Sequence, residues 1–151
     1  MKILCFCGLL IIGFIGGLRA QTVASQNGTI KVTVTGFRNG KGNILVSLYN
    51  KDKGFPRTQE SVIQSREVKV MEAGTTVEFT NVVPGTYAIS TIHDEDGNRE
   101  MDSNFLGMPK EGVGTSNNPK SRMGPPSYKD AQFVIKAGET KTMTIKMVYL
   151  L

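Results

Sequence analysis

The chain has no tryptophan, one histidine and two cysteines among its 151 residues. Haem chemistry, Cys/His zinc clusters and His-rich metal sites are thereby largely excluded. Basic residues outnumber acidic ones, 18 to 13, yet no basic run exceeds two residues and none is interleaved with aromatics. A nucleic-acid surface wants a basic stripe or a recognisable motif, so nucleic acid is excluded as a partner. Glycine pairs such as Gly40-x-Gly42 are not phosphate loops, because no Gly-Lys-Ser/Thr follows them.

Both cysteines, Cys5 and Cys7, fall within residues 1–20. That segment opens on a lysine, runs apolar from Ile3 to Leu18 and reaches a small residue at Ala20. These are the parts of a secretory signal peptide, and the apolar run is shorter than the roughly 20 residues of a membrane span. The expected cut follows Ala20, giving a secreted or periplasmic protein of bacterial type with no membrane span left in the mature chain. A retained N-terminal anchor is the alternative, because Leu18 and Arg19 fit a cleavage site poorly. Loss of Lys2 and Arg19 takes the basic count from 18 to 16 against 13 acids, a net +3. The mature chain has no cysteine, so its core must hold it together without disulfides.

Residues 21–27 read as a flexible lead-in, and 28–151 as one domain. Hydrophobic residues make up 39% and charged residues 21%, a globular balance. Apolar side chains recur at every second position, the mark of half-buried strands. Ile30, Val32 and Val34 form one set, Ile44, Val46 and Leu48 a second. An Asn39-Gly40 turn between them predicts a hairpin. Val68 with Val70, Val77 with Phe79, Tyr87 with Ile89, Phe133 with Ile135, and Met143 with Ile145 and Met147 continue the series. The pattern leaves residues 54–65 open between a short helix and an irregular crossover. About seven short strands and no long helical period predict an all-β fold, a single antiparallel two-sheet sandwich of Ig-like or prealbumin-like kind. Val32, Val46, Phe79, Ile89, Phe133 and Ile145 are its expected core.

Residues 93–130 break the alternation and hold four of the six prolines. Loops this long in compact domains are usually functional or disordered. Met101, Phe105, Leu106, Met108, Val113 and Tyr128 offer apolar attachment points, so an ordered loop is expected. Its first part reads HDEDGNREMDSN, a dense acidic stretch in a basic chain. Asp94, Asp96, Asn98 and Asp102 have the oxygen chemistry and spacing to hold a divalent cation, Ca2+ foremost. An EF-hand is excluded, because its sixth position from Asp94 is Arg99 and its twelfth is Phe105, and no paired helices flank it. Equally, these acids and amides serve as turn caps. His93, Asn104, Glu111, Ser116, Asn117 and Asn118 are further candidates for ordering the loop or contacting a ligand. A general base at His93 beside Asp94 or Asp96 would make the protein a hydrolase, but neither Ser103 nor Ser116 lies in a nucleophile turn. No catalytic residue is therefore assigned.

Several segments, in order, carry a resemblance. They are Pro84–Ile89, His93–Asn98, Asp102-Ser103-Asn104, Gly107–Gly112, Ser116-Asn117-Asn118, Pro125-Pro126 and Asp130–Phe133. Together they resemble the bacterial exported family called domain of unknown function 2141, over about Gly28 to Leu150. The resemblance implies a secreted or periplasmic β-sandwich similar to prealbumin-like and carboxypeptidase-regulatory-like modules, and supplies no catalytic residues. Asp96 stands where the family pattern has Asn, adding charge. The expected function is that of a non-enzymatic binding or scaffolding module with residues 93–118 as its working surface. Cofactors are none beyond Ca2+. The other two readings are the hydrolase and an accessory subunit that docks a cell-envelope protein through an exposed strand edge.

Overall fold

A computed structural model describes residues 26–120 and 124–151. The expected leader at 1–20, and the lead-in up to residue 25, lie outside them. Among the described residues no helix is long and apolar enough to cross a membrane.

Among the described residues, eight strands form two sheets. They are β1 (Gly28–Thr35), β2 (Asn43–Tyr49), β3 (Val62–Lys69), β4 (Thr75–Val82), β5 (Gly85–Asp94), β6 (Gly112–Thr115), β7 (Phe133–Ile135) and β8 (Thr140–Lys146). One sheet has the order β4-β1-β8; the other has β3-β2-β5-β6, with β7 paired to the start of β5. Among the described residues, helical structure is confined to a 3-10 turn at Gln59–Ser61 and one α-turn, α1 (Tyr128–Ala131), whose first turn is capped by the Ser127 hydroxyl. The fold is all-β, a sandwich.

Period-two alternation explains the core. Ile30, Val32 and Val34 of β1 face inward with no exposed surface, against Val77 and Phe79 of the neighbouring β4. Ile44, Val46 and Leu48 of β2 and Ile89 of β5 close the core from the other sheet. All six expected core residues belong to this cluster. β5 is buried on both faces for most of its length, because the inserted loops cover its outer side.

Three features depart from the sequence-based expectation. β1 and β2 do not form a hairpin: they lie in opposite sheets, and residues 36–42 cross between them. The crossing bends at Gly36 and Gly42, both at positive φ, and a Cβ on Gly42 would collide with the Asp94 carbonyl. The sandwich is also not wholly antiparallel, since β1 and β8 run parallel in register from Thr29↔Thr140 to Thr35↔Lys146. The long 93–130 insertion contains a strand, β6. Its Gly112-Val113-Gly114-Thr115 lacks the alternation that would reveal it, because the Tyr149 ring fills the space a Cβ on Gly112 would need. The undecided 54–65 segment is a run of turns ending in the 3-10 turn and the start of β3, whose polar Gln64-Ser65-Arg66-Glu67 hides the strand.

Side chains occupy two of the sheet edges. Gln64 Nε2 and Arg66 Nε donate to the Thr80 and Glu78 carbonyls of β4, at 3.3 and 3.1 Å. The Asn118 amide donates to Thr144 O at 2.8 Å and accepts from Lys146 N at 2.7 Å on β8. Unpaired edge groups template association with other strands, and here polar side chains take their place. Phe79 has no exposed surface at the centre of the core. Phe79→Ala should lower the unfolding free energy by about 3–5 kcal/mol, read from a denaturant midpoint at unchanged slope.

Candidate functional site

β5 ends on two buried polar residues, His93 and Asp94, where the insertion starts. Alternation along β5 sends His93 inward and Asp94 to the opposite face. His93 Nε2 lies 2.8 Å from the Lys41 carbonyl and Nδ1 2.8 Å from the Tyr149 hydroxyl. A carbonyl only accepts, so Nε2 carries the hydrogen and Nδ1 accepts from Tyr149. The Arg38 amide donates to the same phenol at 3.1 Å, while burial pushes the phenol's pKa up and keeps it protonated. Phe37 packs edge-on against the imidazole at 5.3 Å. His93 is thus enclosed, with no carboxylate on either nitrogen. The pairing with Asp94 or Asp96 that a general base would need is not formed.

Asp94 is a loop-closing carboxylate. Oδ1 accepts from the amides of Gly97 (2.8 Å) and Asn98 (3.1 Å), and Oδ2 from Arg99 (3.0 Å). These bonds hold Arg99 at a φ of 63°, a left-handed conformation costly for a residue with a Cβ. Glu111 does the same from the far end of the insertion. It is 5% exposed, and its carboxylate accepts from Glu95 N at 3.0 Å and Asp102 N at 3.3 Å. Desolvation raises the Glu111 pKa, with a further push from the charges of Asp94 and Asp102; the two amide bonds pull the other way.

Asp94, Asp96 and Glu111 each present a carboxylate oxygen within 4.8 Å of the others. The other residues expected to serve a cation do not join them. Asn98 turns its NH2 toward Asp96 (3.2 Å) and Asp102 (3.4 Å), and its carbonyl accepts from Glu100 N. It offers hydrogens, not a lone pair, to the acids. Asp102 lies outside the three-carboxylate group. Asp94, Asp96 and Glu111 form no ion pair among the described residues, whereas Glu95 takes Arg38 and Glu67 takes Arg99.

Asn104, Ser116, Asn117 and Asn118 all act on backbone. Asn104 Oδ1 accepts from Leu106 N and Met108 N, closing a tight tip that leaves Phe105 94% and Leu106 67% exposed. Ser116 is fully buried; its hydroxyl donates to Ala131 O at 2.6 Å and accepts from Ile89 N at 2.9 Å. Asn117 donates to the Asp130 and Gln132 carbonyls. Asn117 and Asn118 both have positive φ, a conformation asparagine tolerates better than most residues. Ser103, the other serine weighed as a nucleophile, forms a backbone bridge with Pro109.

Arg38 escaped the sequence reading. Its guanidinium bonds Glu95 (2.8 Å), Lys110 O (3.0 Å) and Leu151 O (2.8 Å), and lies over the Tyr149 ring. Asn39 adds a 2.7 Å bond to Glu95. Burial opposes ionisation of Glu95, but these bonds outweigh it and hold its pKa low. Arg38 sits in an Asn-Gly turn with nothing in the local pattern to mark it.

A family model described as "Uncharacterized protein conserved in bacteria (DUF2141)" matches residues 32–143, from inside β1 to the middle of β8. The chain belongs to the DUF2141 family. No curated protein and no solved structure matches it. The matched span of this DUF2141 protein contains the whole acidic loop and the Ser116–Asn118 corner.

Two outcomes follow from this geometry. Ser116→Ala leaves the buried Ile89 amide without an acceptor, which should cost about 1–3 kcal/mol in a denaturant titration. Glu111, with its folded pKa above the ordinary 4.5, binds its proton more tightly folded than unfolded. Its contribution is greatest at acid pH and is lost as pH rises through the folded pKa. The stability of the wild type minus that of Glu111→Gln should therefore decline as pH is raised through the range above 4.5.

Proposed function

We propose that this DUF2141 protein is an exported binding module that works through the face built by residues 93–118. Export rests on the basic, apolar and small-residue pattern of residues 1–20. The binding reading rests on one observation: the loop is held from inside by buried polar groups while its apolar tip is turned outward. Asp94, Glu111 and Ser116 spend their hydrogen-bonding capacity on main chain, and Phe105 and Leu106 are left in solvent. Apolar side chains displayed on a braced loop pay little ordering entropy when a ligand arrives.

A divalent cation at Asp94, Asp96 and Glu111 belongs to the same reading, as a brace across both ends of the insertion. Three carboxylates this close repel one another unless they are protonated or share a cation, and oxygen donors in a turn-rich loop suit Ca2+. Waters and backbone carbonyls would complete its shell. The reading as a binder is favoured over a hydrolase based on His93, because that imidazole is spent on Tyr149 and Lys41.

Thermal and denaturant melts with Ca2+, then with chelator, test the brace. At 100 times its dissociation constant a site-bound ion adds about 2.7 kcal/mol, and Asp96→Asn should abolish most of the gain with little effect on the metal-free protein. An unchanged midpoint in Ca2+ removes the cation from the account.

A further inference from the structure

A groove crosses the outer face of the larger sheet. Its main part is a cleft of about 620 Å³, within the size range of small-molecule sites. Ser90 of β5 and Val113 and Thr115 of β6 line its floor, and Met101, Leu106 and Met108 of the insertion line one wall. Val148 and Leu150 line it from the C-terminal tail. A smaller hollow of about 180 Å³ shares Pro56, Arg57 and Ser90 with the cleft.

The chemistry of the lining restricts the occupant. A peptide added as a strand needs a free sheet edge, but the floor is a sheet face. Val113 exchanges both backbone bonds with Val148 at 2.9 and 2.8 Å, and Asn118 occupies the edge of β8. Hydrocarbon makes no such demand. The charge of the main cleft is one-sided as well: Arg57 and Lys146 line it and no carboxylate does among the described residues, while Glu67 in the smaller hollow is paired with Arg99 at 3.0 Å. The Arg57 side chain has no hydrogen-bond or ion-pair partner among them. Its loop is fixed by Phe55, which packs edge-on between Tyr49 and Tyr128 at 5.1 and 5.7 Å.

We propose that the cleft binds an anionic amphiphile, with one alkyl chain along Met101, Val113 and Val148 and one carboxylate or phosphate head at Arg57. The inference rests on the binding role of the 93–118 face and names what that face takes.

Calorimetric titration of the full chain with octanoate, decanoate and dodecanoate, and with dodecyl phosphate and dodecanol, tests it. Affinity for the carboxylates should rise about fifteenfold for each two methylenes buried. Dodecanol should bind about two- to fivefold more weakly than dodecanoate. Arg57→Gln should bring dodecanoate down to the level of dodecanol while leaving dodecanol unchanged, and amide exchange across 101–115 should slow on binding. Whichever of phosphate and carboxylate binds tighter identifies the head. Equal binding of dodecanol and dodecanoate, in wild type and Arg57→Gln alike, overturns the proposal; with 101–115 protected, the face survives as a site for neutral apolar ligands. Binding confined to the apolar run at 3–18 would ignore Arg57 and leave 101–115 unprotected, which also overturns it. Fast exchange of the 93–111 amides in the free protein would overturn the binding face as well.

Discussion

Five main-chain amides converge on two buried carboxylates, and the insertion depends on them. Asp94 takes the amides of Gly97, Asn98 and Arg99, and Glu111 those of Glu95 and Asp102. A loop folded against a sandwich must find partners for its own backbone, since an unpaired buried amide costs about as much as a lost hydrogen bond. Here the carboxylates provide them from both ends, beside a short antiparallel bridge between Ser103 and Pro109. At Glu111 the two amide bonds oppose the desolvation without cancelling it, so its pKa stays raised.

A second knot ties this frame to the rest of the fold. Arg38, in the crossing between the sheets, reaches the start of the insertion at Glu95, its later part at Lys110 and the C-terminal residue Leu151. Beneath it run Tyr149, His93 and the Lys41 carbonyl. The chain's single histidine is a strut in this arrangement: it joins the last strand's tail to the crossing segment. Three regions far apart in sequence are thus fixed to one another by groups that are each fully bonded.

The insertion's residues divide by direction. Those that face inward, Asp94, Glu111 and Ser116, are spent on backbone, and those that face outward include Phe105, Leu106 and Met108. A display of apolar side chains on a braced frame can meet a ligand with little reorganisation. The acids near the rim serve the frame, and the cleft beside it has the opposite electrostatic character.

The family and the sandwich were legible in the sequence, as were the six core positions, because burial on one side of a strand imposes a period of two that needs no knowledge of partners. The ordering of the acidic loop was legible in outline, from its mixture of apolar and turn-forming residues. The hairpin at Asn39-Gly40 was misread, since whether a turn returns a strand to its own sheet depends on what the bend meets, here the Asp94 carbonyl against Gly42. β6 was missed because its glycines answer to distant residues, Gly112 to Tyr149 and Gly114 to Thr91 and Ile145. The roles of Asn98 and Glu111 among the acids turned on which way an amide points and which carboxylate arrives from the other end. Alternation, composition and turn chemistry are local, so the sequence alone determined the fold class and where the insertion lies. Strand direction, the parallel β1–β8 pair, the burial of His93 and the cleft come from contacts between distant segments, and only the packed chain decided those.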